Sequence, residues 1–259
     1  MATTIIAIGN QKGGVAKTTT CQSLGACLAE MGRDVLLIDL DPQAHLTMAM
    51  GINPEELRHS VSDALLANSS LISISRESAV PGLDIVPANQ ELALIDKFFY
   101  GRDGYEFYLK RRLGAMDLDL YDFVLIDCAP SFGAITLNAL TAADRLLIPI
   151  QCEYYAAQSL RRVVELARMV REKTNPHLSY RILVTMYDRR NRICRFILDQ
   201  MRKELSHLLL KTIIEVDTKL RESPAFGQPI TLYAPNTRGS RQYRALAREL
   251  TYNNGRPTP

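Results

Sequence analysis

The sequence predicts an α/β fold, a doubly wound, mostly parallel sheet flanked by helices. Three observations predict it. Short apolar runs alternate along the chain with segments of helical periodicity, beginning with residues 5–8 and the pattern Cys21, Leu24, Leu28, Met31. Several runs, such as 35–38 and 123–126, are continuous Val, Leu, Ile and Phe, the composition of strands covered on both faces. A glycine-bearing loop, residues 9–16, separates the first run from the first helical pattern.

Length and composition narrow the classes. A chain of 259 residues buries a sizeable core. The expectation is one domain over residues 1–259, with 252–259 a flexible tail because Gly255, Pro257 and Pro259 preclude a helix there. The apolar runs fall far short of the ~18 residues of a membrane span. Residues 1–4 show neither the basic region nor the cleavage site of a secretion signal. Five cysteines without a C-x-x-C pair suit free thiols in a reducing, cytoplasmic setting. Net charge is +3, yet residues 181–250 hold 14 Lys/Arg against 7 Asp/Glu. Such a local excess is either a footprint for nucleic acid or a solvated surface.

The loop has the strand, glycine turn, helix order that phosphate binding needs. Gly13 and Gly14 let the backbone aim several N–H groups at one anion, and the helix from about Lys17 adds its N-terminal N–H groups and dipole. Lys17 supplies charge for β- and γ-phosphates and Thr18 a hydroxyl for Mg²⁺. The pattern G-x-x-x-x-G-K-[ST] is missed at Gln11 and Ala16. If position 16 needs positive φ, alanine costs on the order of 1 kcal/mol.

The next run, 35–41, ends in Asp39 and Asp41, and ligands of parallel sheets bind beyond such carboxyl ends. A carboxylate pair there suits Mg²⁺ or an attacking water. Between 51 and 78 the chain turns polar, with a helix start at 53–55 and a short helix at 61–66. A strand follows at 83–86, then helices at about 90–99 and 105–113. Residues 121–127 form a second strand ending in an acid, Asp127, a Walker B pattern whose carboxylate holds Mg²⁺. A strand at 144–150 precedes a helix at 158–173, whose Leu160, Val163, Val164, Ala167 and Val170 mark a sheet-facing stripe. The strand 180–188 leads into Arg189, Arg190 and Arg192 and a helix to about 208. A basic turn, Lys219 to Pro224, and a helix over about 240–250 complete the chain.

The stretch from Lys12 to Thr19, K-G-G-V-A-K-T-T, resembles the deviant Walker A motif K-G-G-x-G-K-[ST]-[ST], with a second lysine five residues before the loop lysine. The chain is similar to the ParA/MinD family of dimerising P-loop NTPases, and to its short ParA/Soj-like branch. D-P-Q at 41–43, P-A-N at 87–89, D-C-A-P-S at 127–131 and T-M-Y-D at 185–188 resemble further family segments. The resemblance implies ATP and Mg²⁺ as cofactors. Gln11, Lys12, Gly13, Gly14, Val15, Ala16, Lys17, Thr18 and Thr19 would hold the nucleotide, with Met186 near the base. Thr18, Asp41 and Asp127 would hold the metal. Asp41 would position the attacking water, with a secondary part for Asp39. Lys12 and Lys17 would complete the catalytic set, Lys12 reaching across an ATP-dependent homodimer to the partner's phosphates.

It implies further that Arg190 and Lys219, with Arg221 in the same turn, bind double-stranded DNA without sequence preference, placing the protein on the nucleoid. A ParB-like or other adaptor protein would stimulate hydrolysis. One departure stands out: Ile213-Ile214-Glu215 replaces the relatives' I-I-P near adenine. A MinD-like ATPase on a membrane surface is the alternative, and its terminal basic amphipathic helix has no counterpart in residues 252–259. A metabolic or metal-delivery ATPase would need paired cluster cysteines or a substrate pocket. With the first strand starting by about residue 4, no preceding helix-turn-helix domain is expected.

Overall fold

The computed structural model describes residues 3–67, 69–99, 101–116 and 120–252. Of the tail expected over 252–259, Tyr252 instead ends the helix Arg238–Tyr252, and 253–259 lie outside the described residues. Eight strands form one sheet: β1 Thr4–Ile8, β2 Val35–Leu40, β3 Arg76–Glu77, β4 Leu83–Val86, β5 Phe123–Cys128, β6 Arg145–Ile150, β7 Ser179–Tyr187 and β8 Leu209–Glu215. Their order is β3-β4-β2-β5-β1-β6-β7-β8. Only the β3–β4 pairing is antiparallel among the described residues.

Period-two alternation divides the strand side chains between two cores. Ala7, Leu36, Ile38, Val124 and Ile126 face one layer, with Leu160, Val163, Ala167 and Val170 of the helix Ala156–Lys173. The predicted stripe is therefore a sheet-packing face. Ile6, Ile8, Val35, Leu37 and Leu125 face the other, with Leu24 and Leu28 of the helix Lys17–Glu30 and Tyr243 and Leu246 of the helix Arg238–Tyr252. Helices on both faces of a parallel sheet make the predicted doubly wound fold. Helix Lys17–Glu30 lies close on the sheet at Gly25, where a Cβ would stand 2.7 Å from Leu37 Cδ2.

The differences from expectation sit at edges and helix ends. The helix after β7 is Arg192–Glu204, not extended to 208, and a turn then enters β8. Polar Lys211 and Thr212 interrupt the apolar pattern of β8, and its pairing with β7 carries register shifts. β3 is two exposed residues. The helix start at 53–55 is a single 3₁₀ turn, Pro54–Glu56, and the helix at 90–99 is 3₁₀ over Gln90–Leu94 before α over Ile95–Phe99.

Candidate nucleotide-binding site

β1, β5 and β2 are neighbours in register, Ile8 beside Asp127 and Asp127 beside Asp39. Their carboxyl ends therefore deliver the loop 9–16 and two carboxylates to one place. Residues Gly13, Gly14, Ala16, Lys17, Thr18 and Thr19 line a cavity of about 600 Å³, closed on the far side by Asp41, Gln43, His45 and Pro224. Space beside Gly13 and Gly14 is open, with no atom within 4 Å of a Cβ built on either. Helix Lys17–Glu30 starts at the cavity floor and points its N-terminal N–H groups into it.

Two long-range hydrogen bonds clamp the loop: Gln151 Nε2 donates to Gly14 O at 2.9 Å and Thr185 Oγ1 to Val15 O at 3.0 Å. Sequence reading gave neither residue a role: Gln151 follows β6 without a motif of its own, and Thr185 stands in the T-M-Y-D segment without any local sign of a contact to the loop. Ala16 adopts φ 64°, ψ 36°, so the alanine does occupy a left-handed position. Ala44 at φ 53° and Met186 at φ 50° are the other non-glycine residues with positive φ among the described residues, and all three border the site. Such strain is held only where surrounding contacts over-determine the backbone.

Thr18 Oγ1 donates to Asp127 Oδ2 at 2.7 Å, while Asp127 Oδ1 is buried without a hydrogen-bond partner. Burial, then the neighbouring Asp39, push the Asp127 carboxyl well above its usual range, with Thr18 and Lys17 opposing. Burial likewise lowers the Lys17 amine, against the attraction of Asp127, Cys128 and Asp41. A buried carboxylate oxygen lacking a donor, beside a threonine hydroxyl, is what a hard divalent cation completes, and Mg²⁺ uses few protein oxygens beside phosphate. Among the described residues no group of three His, Cys, Asp or Glu is placed to hold a metal ion. The residues present fit Mg²⁺.

Asp39 departs from the secondary role expected of it. Oδ1 accepts from Asp41 N at 3.1 Å, and Oδ2 accepts from Thr47 N at 2.9 Å and Thr47 Oγ1 at 2.7 Å. With both oxygens occupied and no exposure, it scaffolds the switch segment instead of meeting a ligand. Burial raises it to about 6 against those hydrogen bonds. Asp41 is the one on the cavity wall, one oxygen accepting from Gln43 N at 2.9 Å.

Gln11, Lys12 and Val15 stand outside this cavity. Val15 is buried, and Gln11 and Lys12 border a separate surface hollow with Tyr155 and Arg162. There the Lys12 ammonium pairs with Glu153, another residue without a sequence signal. Met186 lines an adjoining cavity of about 300 Å³ that shares Gly14, Ala16 and Thr19 with the first. Arg221, expected on the DNA surface, lines that second cavity with Glu215 and Asp217. Arg190 is exposed beyond β7 and paired with Asp188 at 3.1 Å. Lys219 pairs with Glu222 at 2.7 Å over the ring of Tyr233. The five cysteines are buried as free thiols. Among the described residues no helix is long and apolar enough to cross a membrane.

The family model described as an AAA domain matches residues 3–180. The sporulation initiation inhibitor protein Soj of Bacillus subtilis is 41% identical over 250 residues, covering 96% of this chain and 98% of its own length. The chromosome partitioning protein ParA of Myxococcus xanthus is 38% identical, covering 95% of this chain and 87% of its own. A structure named cobyrinic acid a,c-diamide synthase, from Mycobacterium smegmatis with bound ADP and magnesium, superposes with TM-score 0.85 at 36% identity, covering 99% of this chain and 98% of that one. A phosphate loop with its second lysine, Asp41 on its cavity with Asp127 bonded to Thr18 beside it, and likeness over nearly the whole chain lead to one assignment: the chain belongs to the ParA/MinD family of P-loop ATPases.

Proposed function

We propose that this protein is an ATP-driven positional switch: it binds ATP with Mg²⁺, pairs face to face with a second copy, and in that state holds DNA without sequence preference. The observation that carries the reading is the division of labour between two lysines. Lys17 and Thr18 line the cavity, with Asp127 buried behind Thr18, whereas Lys12 sits outside it on an accessible face. A lysine that is part of the loop yet off its own cavity is suited to act on a partner's phosphates, as an arginine finger does in other NTPases.

In this reading Lys17 and the N–H groups of the loop hold the phosphates, and Thr18, Asp127 and Asp41 hold the metal. Bound Mg²⁺ supplies charge neutralisation at the β- and γ-phosphate oxygens. Asp41 orients the attacking water from the cavity wall. Arg190 and Lys219 contact phosphodiesters, exchanging their pairing with Asp188 and Glu222 for the polyanion. An adaptor protein stimulates hydrolysis and so releases the dimer, moving a chromosome, plasmid or other cargo across the nucleoid. The relatives Soj and ParA support this class of work. The name of the M. smegmatis structure favours a second reading, an amide-forming synthetase, in which turnover would require an organic acid and an ammonia donor.

Binding to random-sequence duplex DNA and, in parallel, to anionic liposomes, with Mg²⁺ and either ATP or ADP, tests the proposal. DNA binding with ATP alone is expected, and Arg190→Glu is expected to weaken it while sparing the dimer. Liposome binding without DNA binding would place the protein on the MinD side. ATP turnover that depends on an organic acid and is indifferent to DNA would support the synthetase.

A further inference from the structure

The second cavity and the basic surface share a wall. Residues 215–217 line the cavity, and the carboxylates at either end of that segment reach outward to the basic segments on each side. Asp217 accepts from Lys219 N at 2.9 Å and from Gly239 N at 2.8 Å, capping the helix Thr218–Glu222. Glu215 ends β8 opposite Tyr187, the last residue of β7, and its Oε2 meets Arg189 Nε at 3.2 Å and Arg238 Nη1 at 3.0 Å. Gln242 Oε1 accepts from Glu215 N at 2.9 Å, holding the backbone there. The Glu215 side chain is 19% exposed while Arg189 remains 65% exposed, so the carboxylate is fixed and the arginine is at the surface.

From this geometry we infer that Arg189 is a further phosphodiester-binding group, and that Glu215, itself fixed by Arg238, restrains it. Arg189 precedes Arg190 in the same loop and presents its guanidinium to solvent on the same side of β7's exit. Arg189 commits its Nε–H to Glu215, so it can turn its whole guanidinium to a phosphate only by giving up that partner, and the carboxylate itself repels the polyanion. The inference rests on the DNA-binding reading proposed above.

The test is anisotropy of a labelled random duplex with Mg²⁺ and ATP or ADP, titrated with wild type, Glu215→Gln, Arg189→Gln and the double variant. Fluorescent ATP affinity is measured in parallel. Glu215→Gln is expected to bind DNA several-fold more tightly and with a steeper salt dependence. Each added phosphate contact deepens the affinity loss between about 50 and about 200 mM salt by roughly threefold. The double variant is expected to lose that gain. Wild type that binds DNA while Glu215→Gln shows the same affinity and slope overturns this inference alone. Wild type that binds no DNA in either nucleotide removes the function proposed above, and the restraint falls with it.

Discussion

Thr18 and Asp127, 109 positions apart, meet behind the cavity lining, where the hydroxyl donates to one carboxylate oxygen at 2.7 Å and the other oxygen is left buried and unpaired. An unsatisfied buried acceptor is a cost to the unliganded fold. Asp127→Asn keeps the shape and removes the charge. Its unliganded melting temperature is expected at or above that of wild type, and the further rise given by Mg²⁺ with ATP is expected to disappear. Scanning fluorimetry with and without Mg²⁺ reads both. A full magnesium-dependent rise in the variant would remove Asp127 from the metal set.

Lys12 is held by Glu153 on its own chain. An exposed ion pair of this kind contributes about 0–1 kcal/mol, so Glu153→Gln should leave stability within roughly 0.5 kcal/mol of wild type. With Lys12 freed, the ATP-dependent dimer should form at up to about fivefold lower protein concentration, as 1 kcal/mol allows. Lys12→Ala should abolish that dimer. Light scattering across a dilution series decides: an unchanged dimer in Lys12→Ala refutes action across the interface.

Ala16 holds φ 64°, a region that disfavours any side chain. Ala16→Gly relieves roughly 1 kcal/mol of strain but frees the unfolded chain by about 0.4–1 kcal/mol. The expected net is a small gain, with the melting temperature raised by no more than about 3 °C. A fall of several degrees would mean that the alanine methyl packs rather than strains.

Gly25 marks where the helix Lys17–Glu30 lies closest to the sheet. A Cβ there would stand 2.7 Å from Leu37 Cδ2 and 3.1 Å from Leu83 Cδ1, both in the buried core. Gly25→Ala is expected to cost about 1–3 kcal/mol despite alanine's better helix propensity. Denaturant melts read it, and a stabilised variant would show that the helix can lift without loss.

Much of the site was legible because its signals are local. A glycine loop between an apolar run and a helical pattern, and acids at the ends of continuous Val/Leu/Ile runs, each need only a few neighbouring residues to be recognised. β8 and β3 were not legible. Central strands buried on both faces are apolar throughout, whereas edge strands carry exposed residues such as Lys211, Arg76 and Glu77 that blur the period.

By itself the sequence determined the strand and helix order, the phosphate loop, and the arrival of Asp39, Asp41 and Asp127 at one edge of a parallel sheet. Only the tertiary structure decided between Asp39 and Asp41. Their local contexts are alike, but Thr47 folds back to occupy both the hydroxyl and N–H contacts that fix Asp39, leaving Asp41 to the cavity. It also brought Gln151, Thr185 and Glu153 to the loop from more than 130 positions away. Those choices depend on which donors and acceptors the packed sheet brings within 3 Å or so of one another, a condition on distance that no stretch of the chain carries alone.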